Sequence, residues 1–150
     1  MIDGTEKNIE DIEYGDCVLS YNELFDQFEE AYVTITNSYQ NIETYNIILE
    51  NGITLHTSDC HPILTNYGWS AINANKAFIN HNIMITKILT PGMLIKQVNN
   101  TYVKIIDIIN THDYNTLYDI GINNMSHTYI ADKCIVHNVY TPIDFSKSIE

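Results

Sequence analysis

The feature that most limits what this chain can fold into is its rhythm. Short runs rich in β-branched and aromatic residues alternate with turn signals, and no apolar stretch keeps a helical period for long. Cys17–Tyr21, Tyr32–Tyr39, Thr44–Leu49, Ile53–His56, Pro62–Thr65, Ile83–Ile88, Met93–Val98, Tyr102–Ile109, Asn115–Ile122, His127–Ile130 and Cys134–His137 read as strands. Asp3-Gly4 and Tyr14-Gly15-Asp16 read as turns, and Gly68-Trp69 follows a turn. Asn51-Gly52 is a strong hairpin signal, because both central residues of a tight hairpin turn need positive φ. The helix candidate is Ser70–Ala77, weakened by Asn73 and Asn75. Leu24, Phe25 and Phe28 suggest a helical turn or a loop insert over Asn22–Glu30, and Asn8–Ile12 suggests a helical turn or a bend. Strands do not alternate with helices, so the expected class is all-β with an antiparallel sheet.

A length of 150 residues suits one domain with a core of its own. Hydrophobic residues make up 45% and charged residues 17%, the balance of a globular chain. The net charge of −12 opposes binding to nucleic acid or to an anionic membrane and permits a basic peptide partner. The three cysteines, Cys17, Cys60 and Cys134, are too few and too scattered for a disulfide framework or a zinc site. They point to a reducing compartment. No apolar run approaches the ~18 residues of a membrane span, and Met1-Ile2-Asp3-Gly4 does not open a signal peptide.

Four segments carry candidate chemistry. Asp3-Gly4-Thr5-Glu6-Lys7-Asn8-Ile9-Glu10-Asp11-Ile12 leads into Gly15-Asp16-Cys17-Val18-Leu19-Ser20-Tyr21-Asn22. Thr57-Ser58-Asp59-Cys60-His61-Pro62 places hydroxyls shortly before an imidazole. Leu117-Tyr118-Asp119-Ile120-Gly121-Ile122 precedes His127-Thr128-Tyr129-Ile130-Ala131. Cys134-Ile135-Val136-His137-Asn138 closes the series as a strand ending in Val-His-Asn. Each alone is a weak signal, and His-Asn recurs at His81-Asn82. Their order and spacing together resemble the intein/Hint family of protein-splicing domains, from Asp3 to Asn138. The first segment is similar to the family's "DGT.K.IEDI..GD.VLSYN", a scaffold stretch. The second is similar to its "TxxH", with Ser58 three residues before His61 and Thr57 the alternative hydroxyl. The third resembles "VYDI.V…HNF.A". Gly68-Trp69 and Leu89-Thr90-Pro91-Gly92 match "GW…L..GD" in part, Met93 replacing Asp.

The resemblance implies the horseshoe-shaped Hint fold without an endonuclease insert, since Trp69 to Tyr118 is too short to hold one. It also implies roles. Ser58 and His61 would act at the N-terminal junction, the hydroxyl on the oxyanion and the imidazole on the departing nitrogen. Asp119 would couple the early steps by stabilising a thiolate or relaying a proton. His127 would polarise the C-terminal junction. Asn138 would cyclise to a succinimide, with His137 protonating the leaving nitrogen or stabilising the carbonyl oxygen. No metal or cofactor is implied.

Two departures qualify these roles. The family's first nucleophile, a Cys or Ser about ten residues before the "DGT" turn, has no counterpart between Met1 and Asp3, and Cys17 lies on a scaffold strand. The residue after Asn138 is Val139, which is no nucleophile, and Thr141 stands too far on. The expectation is a split intein's large C-terminal fragment over residues 1–138, with an extein-like tail over 139–150. A short N-terminal fragment bearing Cys or Ser would complete it, filling an open sheet edge. Processing would be a single-turnover, autocatalytic event in a bacterial or phage cytoplasm, with cleavage but not ligation. A non-splicing, self-cleaving Hint domain and an inactive peptide-capturing scaffold are the alternatives.

Overall fold

The computed structural model describes residues 7–76, 87–123 and 127–137. Ten strands form its sheet: β1 (Cys17–Asn22), β2 (Gln27–Leu49), β3 (Thr54–Thr57), β4 (Ile63–Thr65), β5 (Gly68–Ala71), β6 (Lys87–Ile88), β7 (Leu94–Lys96), β8 (Tyr102–Ile122), β9 (Thr128–Ala131) and β10 (Cys134–His137). The strand order is β1-β2-β8-β7-β4-β10-β9, with β3 beside β2, and β5 between β4 and β6. The sheet is antiparallel, as expected, apart from the short pair of β5 with β6, which run parallel.

The frame is the long ribbon of β2 and β8. Sequence reading divides it between Tyr39 and Thr44 and between Ile109 and Asn115, yet the strands run through. The register slips between Val33 and Ile35, Tyr39 and Ile42, Glu43 and Tyr45, and Ile48 and Leu49. Such bulges bend and twist a ribbon, so that its two ends can serve one core. Val33, Ile120 and Ile122 at one end and Ile47, Leu49, Val103 and Ile105 at the other are all buried in that core. Gly121 is required at the first end: a Cβ there would collide with the Ile35 side chain.

Other local expectations shift with tertiary context. Asn22–Glu30 is neither helix nor insert but a hairpin turn and the start of β2, leaving Leu24 and Phe25 exposed. Ser70 and Ala71 belong to β5, and the helical residues are 74–76, Ala77 lying outside the described residues. The Asn8–Ile12 bend is a 3-10 turn over Ile9–Asp11. Of the Ile83–Ile88 expectation only Lys87–Ile88 is described. Asp3-Gly4 also lies outside the described residues.

The first and last strands of the order are tied together by the Thr128 side chain. The Thr128 hydroxyl donates to the Tyr21 carbonyl at 2.8 Å and accepts the Tyr21 amide at 2.8 Å. Ser20 Oγ lies 3.0 Å from the same oxygen, and Ser20 and Thr128 are fully buried.

Candidate functional site

The β9–β10 hairpin is built on a two-residue turn. Asp132 and Lys133 have φ of 48° and 67°, the positive pair that a tight hairpin requires. The resulting register sets Cys134 opposite Ala131 and His137 opposite Thr128. His127 is thereby brought beside the end of β10, its ring centroid 6.1 Å from that of His137. His127 itself adopts φ 56°, an uncommon conformation for a residue with a Cβ.

β10 is gripped on its other flank by β4, with Val136 opposite Ile63. Beyond that pair, the His137 amide donates to the Pro62 carbonyl at 3.2 Å. Pro62 directly follows His61, so this bond joins the second motif to the strand that leads to Asn138. Trp69 of β5 meets the His137 ring edge-on, centroids 5.2 Å apart, while its indole N–H donates to Glu23 at 2.9 Å.

Asp119 sits near the end of β8, opposite Asn37 of β2, and is 3% exposed. Its Oδ1 accepts the Tyr129 hydroxyl at 2.8 Å and the Ile120 amide at 2.8 Å. Tyr129 lies on β9 opposite Val136, which places Asp119 against the same hairpin that carries the two histidines. Burial, then the charges of Asp119 and Cys60, push the Tyr39 phenol up to about 12. The Tyr39 phenol is therefore within electrostatic reach of both Asp119 and Cys60. A groove of about 170 Å³ opens at Asp119, bordered by Ile9, Glu10, Ile12, Asn37 and Tyr118.

That loop is held from outside the sheet. The Asp59 carboxylate pairs with Lys76 at 3.0 Å, and its carbonyl accepts the Asn73 amide at 2.6 Å. Ser58 Oγ lies 3.6 Å from Cys60 Sγ, whereas Thr57 ends β3 opposite Tyr45. The structure thus gathers His61, Asp119, His127 and His137 around the β9–β10 hairpin, with Ser58 on the adjoining loop. Asn138 and Val139 lie outside the described residues. Cys134 is remote from this chemistry: it is buried beside Gln97 and its thiol is pushed up to about 11, mainly by desolvation. Among the described residues no three His, Cys, Asp or Glu side chains are grouped to hold a metal ion. No described helix is long and apolar enough to cross a membrane.

Sequence reading missed three neighbours of the site. Trp69 and Tyr39 give no local sign of their contacts. Tyr129 does leave one: it stands where the "HNF.A" pattern has Phe, adding a hydroxyl to a buried ring.

No protein-family profile and no curated protein matches the chain, whereas solved structures do. It is similar to the DnaB intein from Synechocystis sp. PCC 6803, with a TM-score of 0.71 and 19% identity over 90% of this chain and 88% of that one. The gp41-1 intein is similar with a TM-score of 0.65 and 25% identity, covering 88% and 87%. The DnaX mini-intein from Spirulina platensis gives 0.62 and 26%, covering 81% of each chain. The fold is therefore the horseshoe-shaped Hint fold without an insert. With the ordered motifs converging on one place, the likeness to these structures supports the intein/Hint family of protein-splicing domains.

Proposed function

We propose that this chain is the large C-terminal fragment of a split intein and acts once, in trans, on a short N-terminal intein fragment that carries a Cys or Ser nucleophile. The groove at Asp119 is the receiving place for that nucleophile. There the nucleophile attacks the carbonyl that precedes it, and the peptide C–N bond gives way to a thioester or ester. Ser58 and nearby backbone donors stabilise the oxyanion, His61 protonates the departing nitrogen, and Asp119 takes the nucleophile's proton. At the other junction the Asn138 amide nitrogen attacks its own backbone carbonyl. The bond to Val139 breaks, a succinimide remains, and His137 delivers a proton to the leaving nitrogen while His127 polarises the carbonyl. Val139 offers no hydroxyl or thiol to receive the acyl group, so the flanks separate and are not joined.

The observation that carries this reading is the bond from the His137 amide to the Pro62 carbonyl, 3.2 Å long. It fastens the segment proposed to work at one junction to the segment proposed to work at the other. Mass spectrometry of the chain with and without a synthetic N-terminal fragment tests it. Loss of Val139–Glu150, abolished by Asn138→Ala, is the expected result. An intact mass with the fragment bound, even with an added thiol, leaves an inactive peptide-capturing scaffold instead. Val139→Ser then separates ligation from cleavage. A coding sequence running in frame from such a fragment into Met1 would move the same chemistry from trans to cis.

A further inference from the structure

We propose that Tyr129 is a positioning residue for Asp119: its buried hydroxyl fixes which carboxylate oxygen exchanges the proton and favours the ionised carboxylate. The inference rests on the reading of Asp119 as the group that serves the first acyl shift. Tyr129 is 4% exposed and Asp119 3%, so their 2.8 Å bond has little competition from water. Together with the Ile120 amide it engages both lone pairs of Oδ1. The carboxylate is held against rotation, and proton exchange falls to Oδ2.

The surroundings show why a dedicated donor is needed. Tyr39 from β2 acts on the carboxylate electrostatically, as does Cys60 on the same phenol. Glu10 of the 3-10 turn and Tyr118 of β8 line the groove with Asp119. These groups are acids, and whichever of them ionises opposes a second negative charge. Hydrogen bonds from Tyr129 and Ile120 act in the opposite direction. Tyr129 remains a neutral donor, because burial and then the charge of Asp119 raise its phenol well above the ordinary tyrosine value. Its position on β9, opposite Val136, also ties the carboxylate to the hairpin that orients His137.

The test is a carboxyl-carbon NMR titration of Asp119 in the full chain carrying Asn138→Ala, paired with the pH profile of fragment-dependent thioester or ester formation. Tyr129→Phe is expected to raise the Asp119 midpoint by about one pH unit and move the profile with it. Replacing Tyr129 by 3-fluorotyrosine, a stronger donor of nearly the same size, is expected to move both the other way; this arm survives if the Phe variant misfolds. A midpoint that stays put in the folded variants overturns the inference, as does a moved midpoint with a fixed profile. A moved midpoint with no acyl shift under any condition upholds the Tyr129–Asp119 coupling and removes the splicing reading.

Discussion

The β9–β10 hairpin, with two histidines, and the loop over residues 58–61, with one, converge on the same place, and they are held in opposite ways. All four residues of β10 are buried, and the strand is paired with β9 on one side and β4 on the other. The loop is only half-buried and leans on an ion pair whose lysine side chain is 52% exposed. Strand pairing fixes position through many mutually supporting bonds. The loop is fixed through fewer, that solvent-exposed ion pair and the bond from the Asn73 amide to the Asp59 carbonyl. On the proposed function, the C-terminal chemistry is therefore set by the chain's own sheet, whereas the N-terminal chemistry stays adjustable until the fragment arrives.

The sharpest way to break this contrast is to remove each imidazole in turn. His137→Ala should slow cleavage after Asn138 by about 100-fold or more, while His61→Ala leaves it within a few-fold. Mass-spectrometric time courses without the N-terminal fragment measure both, and equal losses would erase the distinction. Next comes the grip of burial on β10. Because the Cys134 thiol is raised from 9.0 to about 11, the folded chain keeps a proton that the unfolded chain gives up. Stability should be level below pH 9 and decline between pH 9 and 11, by about 2–3 kcal/mol at most. Urea melts of wild type against Cys134→Ala isolate this contribution from the tyrosines that titrate nearby; parallel pH curves would refute it. Thr128→Val should cost about 2 kcal/mol, since it strands the buried Tyr21 amide and carbonyl, and the same melts report it. Smallest of all, Lys76→Met should cost about 1 kcal/mol or less and leave C-terminal cleavage unaltered. A large loss there would mean that the loop is as firmly built as the hairpin.

What was readable in the sequence follows the same division. Cys134–His137 and its partner strand were legible because alternation, apolar content and a short turn act locally. The ribbon of β2 and β8 was not read as continuous. Its polar middle is sustained by cross-strand bonds, such as Thr44 Oγ1 to Thr111 Oγ1 at 2.9 Å and Asn115 Nδ2 to Thr44 Oγ1 at 3.1 Å, which no local window contains. Leu24 and Phe25 misled for the converse reason: apolar residues in a hairpin turn imitate a helical face while remaining exposed. The parallel β5–β6 pair joins Ser70 to Lys87 through the intervening chain, a connection that the periodicity of either strand cannot disclose. At the site, the motif residues were legible by order and spacing. The groups that hold them, Trp69 on His137 and Tyr129 on Asp119, depend on the folded geometry.

The Thr128 hydroxyl has a consequence for timing. Its bonds to Ser20 and Tyr21 span 108 and 107 residues, among the longest reaches in the molecule. Contacts of such separation are slow to form, because the chain between them must first lose its freedom. As the polypeptide leaves the ribosome, Ser20 and Tyr21 must wait for nearly the whole domain to be synthesised before they find their partner. His127 is the residue immediately before Thr128. The seal between the first and last strands and the seating of that histidine are thus one event. On the proposed function, cleavage is thereby held back while the domain is half-made.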